Sequence, residues 1–153
     1  MKDQSREEYR ALAEFRYQIR RFLGFSEEQV RTAGMEPQQH QLLLAIKGLP
    51  DGTSATIGEL AARLLLKHHS TVELVNRLEA SGFVHRARAQ KDRREVLLAL
   101  TPKGEKVLGE LALHHHDEIR LAAPELVAAL RRIMREGSEA ALSHSAPHLK
   151  GKS

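Results

Sequence analysis

Five long cations fall within nine positions of one stretch: Arg86, Arg88, Lys91, Arg93 and Arg94, with Asp92 set among them. Arg86 and Arg88 are two apart, so on an extended backbone they share a face. Lys91, Arg93 and Arg94 crowd the tip of the hairpin expected there. Cations on a hairpin tip can neutralise phosphates, or enter a narrow minor groove where the negative potential is deepest. A single acid such as Asp92 can orient a neighbouring arginine by a bidentate ion pair, at some loss of net charge. A solvated basic turn is the plain alternative. The stretch just before it weighs against that reading.

That stretch, a helix from Ser70 to Gly82 with the turn Lys67-His68-His69 before it, carries a second set of recognition chemistry. On a helical wheel Leu74, Val75 and Leu78 point to one side, and His69, Val72, Glu73, Asn76 and Ala80 point roughly the other way, with Ser70 and Arg77 at the flank. The second face has the size and polarity to enter a major groove. There Asn76 can pair with adenine, Glu73 can accept from a cytosine amino group, and Val72 can meet a thymine methyl. Glu73 has a competing role, since Ser70-x-x-Glu73 is a capping box. Arg77 is open to three readings: phosphate clamp, ion pair with the hairpin, or solvated arginine. Lys67, His68 and Thr71 complete the candidate surface of this helix and the turn before it.

Several elements must hold these groups. Tyr9, Leu12, Phe15, Ile19, Phe22 and Leu23 recur at helical spacing and predict a helix over 6–23, ended by Gly24. Ser26-x-x-Gln29 predicts a short capped helix closed by Gly34. Pro37 suits the first position of a helix running to Lys47. The segment 48–54 is a loop by composition. Thr56-x-x-Glu59 caps the next helix, whose buried stripe is Leu60, Ala61, Leu64 and Leu65. Lys67-His68-His69 forms the turn, and Gly82 stops the helix after it. Residues 83–88 and 94–100 read as two strands around the tip 89–93. Thr101-Pro102 starts a long helix to about Leu121, and Pro124 opens a last one that Gly137 can break. The tail from His144 reads as frayed. The fold is mainly α (α+β), with about six helices and a two- to three-stranded wing: a winged helix-turn-helix.

Charge follows this division. Residues 56–106 hold ten Lys and Arg against six Asp and Glu, so the net charge of +4 on all 153 residues lies on one third of the chain. This is the electrostatic footprint of a nucleic-acid reader. Aromatic content is 4%, which makes the core mostly aliphatic. There is no cysteine, which excludes disulfides and thiol chemistry and is compatible with the cytosol. The N-terminus lacks a signal-peptide segment, and apolar runs such as 42–46 and 96–100 are too short to span a membrane.

The residues Ser70, Leu74-Val75-Asn76-Arg77-Leu78-Glu79, Gly82, Asp92-Arg93-Arg94 and Leu100-Thr101-Pro102-Lys103-Gly104 together resemble the MarR family of winged-helix transcriptional regulators. The resemblance covers nearly the whole chain. It implies a cytoplasmic homodimer on pseudo-palindromic double-stranded DNA, dimerised through segments 1–36 and 102–153, with 37–101 as the DNA-binding lobe. It implies that Arg94 enters the minor groove, that Asp92 steadies it, and that Arg93 contacts phosphate. The pair His68-His69 departs from the family pattern. It can add phosphate contacts and a mild pH dependence of binding. Two recognition helices related by a two-fold axis sit about one DNA turn apart, roughly 34 Å, on half-sites about 10 base pairs apart.

The resemblance also implies a repressor released by a small aromatic or phenolic anion, for which Arg16, Tyr17 and His40 are the candidate contacts. No cofactor and no metal are assigned. His114, His115 and His116 fan about 100° apart on a helix and cannot face one ion together. His115 continues the stripe of Leu108, Leu111 and Ala112, as a core or interface histidine would. His144 and His148 are separated by Pro147. No catalytic set stands out: Ser26, Thr56, Ser70 and Thr101 read as caps, and no Gly-rich phosphate loop follows a strand. The chain is thus read as no enzyme. Two rival readings share the fold: a zinc-responsive regulator using these histidines with Asp117 or Glu118, and a winged-helix module that binds protein instead of DNA.

Overall fold

A computed structural model of the chain describes residues 2–92 and 94–144, with side chains described for 6–92 and 94–135. Among these residues the order is α1 (Lys2–Thr32), α2 (Pro37–Lys47), α3 (Ile57–Leu64), α4 (His68–Ala80), β1 (Val84–Arg88), β2 (Val96–Leu100) and α5 (Pro102–His144). The strands pair antiparallel, with Arg86 opposite Leu98 and Arg88 opposite Val96. In place of a third strand, a single backbone bond runs from the Leu98 N–H to the Ala55 carbonyl at 2.9 Å.

The helix count falls below six because two expected breaks do not occur. α1 runs through Gly24, where an added Cβ would meet nothing within 4 Å. A helical glycine costs about 1 kcal/mol relative to alanine, too little to stop a helix flanked by Phe22 and Phe25. Ser26 is therefore no cap. α5 runs through Pro124 and past Gly137. Proline removes one helical hydrogen bond, but Ala122-Ala123 before it and Glu125-Leu126 after it are strong helix formers.

Two compact units result: residues 26–116, and residues 1–25 with 117–153. The divisions fall at 25/26 and 116/117. The end of α1 and the start of α5 thus pack with the winged-helix lobe. In that unit Leu42, Leu43, Leu60, Leu74, Val75, Leu78, Val84 and Leu98 form an aliphatic core, extended by Val30, Leu108 and Leu111.

Three helices of this lobe end in the same way. Met35 donates to the Val30 carbonyl and Gly34 to Arg31. Leu66 donates to Ala61 and Leu65 to Ala62. Phe83 donates to Leu78 and Gly82 to Glu79. Each is a Schellman closure, which needs a left-handed residue. Gly34 and Gly82 meet that need freely, at φ +79° and +76°. The α3–α4 turn uses Leu65 at φ +54°, and it is 93% exposed. Leu65 therefore does not extend the stripe of Leu60 and Ala61: the left-handed turn swings it out of the core.

The segment 101–104 clasps the lobe. Thr101 Oγ1 accepts from the Gly104 N–H at 3.1 Å, capping α5, and donates to the Gly82 carbonyl at 2.5 Å. The Thr101 N–H donates to the Phe83 carbonyl. Lys103 Nζ reaches the Ser81 carbonyl at 2.8 Å and lies over the Phe83 ring. A Cβ at position 104 would overlap the Phe83 carbonyl oxygen. Only glycine allows this approach.

Candidate nucleic-acid interface

α4 starts one turn earlier than the capping pattern suggests. Its first residue is His68, its cap is Lys67, and no side chain caps it. Ser70 thus lies inside the first turn, the Ser70–Glu73 box does not form, and Glu73 is exposed without a capping duty. The buried stripe is Thr71, Leu74, Val75 and Leu78. Thr71 leaves the candidate surface, since it is fully buried and its hydroxyl donates to the Lys67 carbonyl at 3.1 Å. Its position three before Leu74 puts it on the core side. Lys67, His68, His69, Glu73, Asn76 and Arg77 are exposed, and Ser70 and Val72 half-buried. They form one polar face with a single aliphatic patch.

Two arginines sit differently from their expected places. Arg77 pairs with Glu36 at the start of α2, Nη1 to Oε2 at 2.9 Å, and not with the wing. Both side chains are about half exposed, so the pair contributes little and leaves Arg77 able to turn to a phosphate. Arg86 is more firmly held. Its Nη1 lies 2.5 Å from Glu79 Oε1 and its Nη2 2.7 Å from Asn76 Oδ1, with 28% of the side chain exposed. It ties β1 to α4 instead of standing out towards solvent as a phosphate contact would. Arg88, on the same strand face, is exposed and has interactions of its own.

At the wing tip, Asp92 acts on backbone. Its Oδ1 accepts from the Arg94 N–H at 2.9 Å, and its carbonyl accepts from the Glu95 N–H at 3.0 Å. This is an Asx-type turn, which fixes the tip without using the Arg94 guanidinium. Ala89, buried against the lobe, donates to the Glu95 carbonyl and closes the hairpin. Lys91 and Arg94 are exposed. Arg93 lies outside the described residues, as do the tail after His144 and the side chains of His144 and His148.

A cluster within the same unit joins Ser26, His40 and His115. Ser26 Oγ and His115 Nε2 are 3.0 Å apart, joining residues 89 positions distant. The His115 ring meets His40 edge-on, with centroids 4.9 Å apart. His115 is thus the hydrogen-bonded, half-buried histidine its stripe suggests. His40 is only 2% exposed, and its Nδ1 has no partner. Burial, and then the neighbouring His115, lower its pKa from 6.5 to about 4. Among the described residues no three His, Asp or Glu side chains gather as metal ligands.

In the terminal-helix unit, Arg16 and Tyr17 are exposed on α1. A cavity of about 280 Å³ in this unit is lined by Gln18, Arg21, Phe22, Phe25, Glu118, Leu121 and Ala122. Its cation is Arg21, not Arg16, and Arg21 also stacks on Tyr17 at 5.8 Å. No described helix is long and apolar enough to cross a membrane.

Residues 33–95 match the sequence model of the MarR family. A putative transcriptional regulatory protein for the hcr operon of Thauera aromatica is 33% identical over 132 residues, covering 81% of this chain and 78% of that protein. With an uncharacterised HTH-type transcriptional regulator of Bacillus subtilis, YsmB, identity is 32% over 65 residues, 42% of this chain and 44% of that protein. The shared stretch thus spans less than half of that second relative. Among solved structures, a MarR family transcription regulator superposes with a TM-score of 0.72 at 20% identity, covering 95% of this chain and 99% of the other. The MepR–DNA complex of S. aureus superposes with a TM-score of 0.61 at 17% identity, covering 85% and 94%.

Proposed function

The chain belongs to the MarR family, and from that premise we propose that it is a dimeric, sequence-specific reader of double-stranded DNA that represses transcription until a small ligand binds. One observation carries the reading. The exposed polar face of α4 and the braced, cation-bearing wing tip belong to the same compact unit. A helix in the major groove and a wing in the adjacent minor groove can then be placed together. Lys67, His68 and His69 stand at the N-terminal end of α4, beside Glu73 and Asn76 one and two turns on. Arg94 is the candidate minor-groove probe. The MepR complex supports DNA as the partner, since that protein, of similar fold, is bound to DNA.

The apolar exposure of the terminal-helix unit supports a dimer. Tyr9, Leu12, Phe25, Leu121 and Met134 are 47–82% exposed there, more than a lone unit leaves open without a partner. The cavity beside Arg21 offers apolar walls with one cation and one acid, Glu118, which suits a small aromatic ligand carrying a polar group.

Selection from a pool of randomised duplexes tests the proposal. The protein should enrich an inverted repeat with half-sites about 10 base pairs apart. Affinity for that repeat should fall steeply with salt, because several phosphate contacts displace counterions. A pool that enriches no motif, or binding that ignores salt, would contradict it.

A further inference from the structure

The contacts of Arg86 decide what Asn76 can read. Asn76 and Glu79 are three apart on α4 and share a face. Arg86 reaches both from β1, with one terminal nitrogen on each. A guanidinium has five N–H donors and no acceptor, so the oxygen of the Asn76 amide must be the atom turned towards it. The amide NH2 then faces away, on a side chain that is exposed. Glu79 balances the charge of Arg86 and holds the guanidinium in place.

An asparagine free to use both ends of its amide pairs with adenine in a bidentate way, accepting from the N6 amino group and donating to N7. With its oxygen drawn towards Arg86, which takes one of its two lone pairs, the Asn76 amide leads with its N–H donors. Guanine presents O6 and N7 side by side, and thymine presents O4. Adenine sets an amino donor beside its N7, which repels a second N–H.

We propose that Arg86 is a positioning residue that fixes the Asn76 amide with its N–H donors outward, so that the base facing Asn76 in each half-site is guanine or thymine and not adenine. The proposal replaces the adenine pairing that the residue type alone suggests. It rests on α4 being the groove helix, and it adds which atoms of that helix carry the specificity.

The test uses the full chain and duplexes enriched from the randomised pool, with every position of one half-site changed in turn. At one position the parent protein should prefer guanine or thymine over adenine by about tenfold, the usual scale of a base contact. Asn76→Asp keeps the bond to Arg86 but has no N–H to offer, so that preference should vanish. Arg86→Met frees the amide to rotate, and adenine should rise to within about threefold of the preferred base. Arg86→Lys, which can still donate to the oxygen, should restore the parent order. The salt dependence of binding should stay unchanged in Arg86→Met. A fall of its log–log slope by about one would mean that Arg86 holds a phosphate, and would overturn the proposal. So would a base preference that survives Asn76→Asp, a variant that leaves the Arg86–Glu79 pair intact and keeps the test open if Arg86→Met does not fold. A pool that enriches nothing would instead overturn the groove-reading assignment beneath it.

Discussion

Leu43 and Leu121 are the same side chain in opposite situations. Leu43, in the 26–116 unit, is fully buried, whereas Leu121, in the terminal-helix unit, is 82% exposed. The contrast holds beyond these two. The first unit closes an aliphatic core from α2, α3, α4 and the wing strands. In the second, Ala11, Gln18 and Ala129 are the buried residues among those described, and large apolar side chains face outward. The lobe that carries the recognition chemistry closes its own core, whereas the proposed dimer would cover the apolar faces of the terminal helices. If so, substitutions in the lobe should act on stability at any protein concentration, and stability set by the terminal unit should rise with concentration.

The largest effect is expected at the clasp. Gly104→Ala places a Cβ into the Phe83 carbonyl, in a buried contact with no room to relax. It should destabilise the lobe by about 3 kcal/mol or more, at the upper end of overpacking costs. Thermal unfolding over a hundredfold range of concentration would show the loss at every concentration. A loss that disappears at high concentration would break the division between the units.

Acid should produce an effect nearly as large. The unfolded chain protonates His40 near 6.5, whereas the folded lobe holds it neutral down to about 4. The stability contributed by neutral His40 is complete above pH 6.5 and is lost as pH falls towards 4. A shift of this size corresponds to about 3 kcal/mol. Urea titrations at pH 7.5 and 4.5 should show a smaller acid loss in His40→Leu than in the parent. Equal losses would mean that the imidazole is protonated inside the fold.

A smaller effect, of opposite sign, is expected at the α3–α4 turn. Leu65→Gly relieves a left-handed leucine that packs against little, and should stabilise the lobe by about 1 kcal/mol. A lower melting temperature would mean that the exposed leucine has a partner within the folded chain.

What was legible in the sequence was local. Pro37, Thr56, Gly82 and Thr101-Pro102 signal chain reversals and caps through groups within four residues of one another, and the structure has an element boundary at each. The wing strands fall within two residues of their expected bounds for the same reason. The misread features depend on distant partners or on neighbouring helix formers. Gly24 and Pro124 carry stop signals that the surrounding residues override. The true start of α4 follows from the Leu65 turn, and that start buries Thr71. Arg77 finds Glu36 at 41 positions' distance, and Ser26 finds His115 at 89. Residue type could nominate Arg86 for phosphate. Only the fold places Glu79 and Asn76 in its reach.

The central claim is that α4 and the wing of the lobe read DNA together while the terminal helices pair the chains. Arg94→Ala tests it most directly, by titration of the enriched inverted repeat alongside sedimentation of the free protein. The side chain is exposed, and the turn is held by the Arg94 backbone N–H, which alanine keeps. Affinity should fall tenfold or more, on the scale of a lost groove contact, with the dimer and the melting temperature unchanged. Parent-like affinity in a folded, dimeric variant would contradict the account.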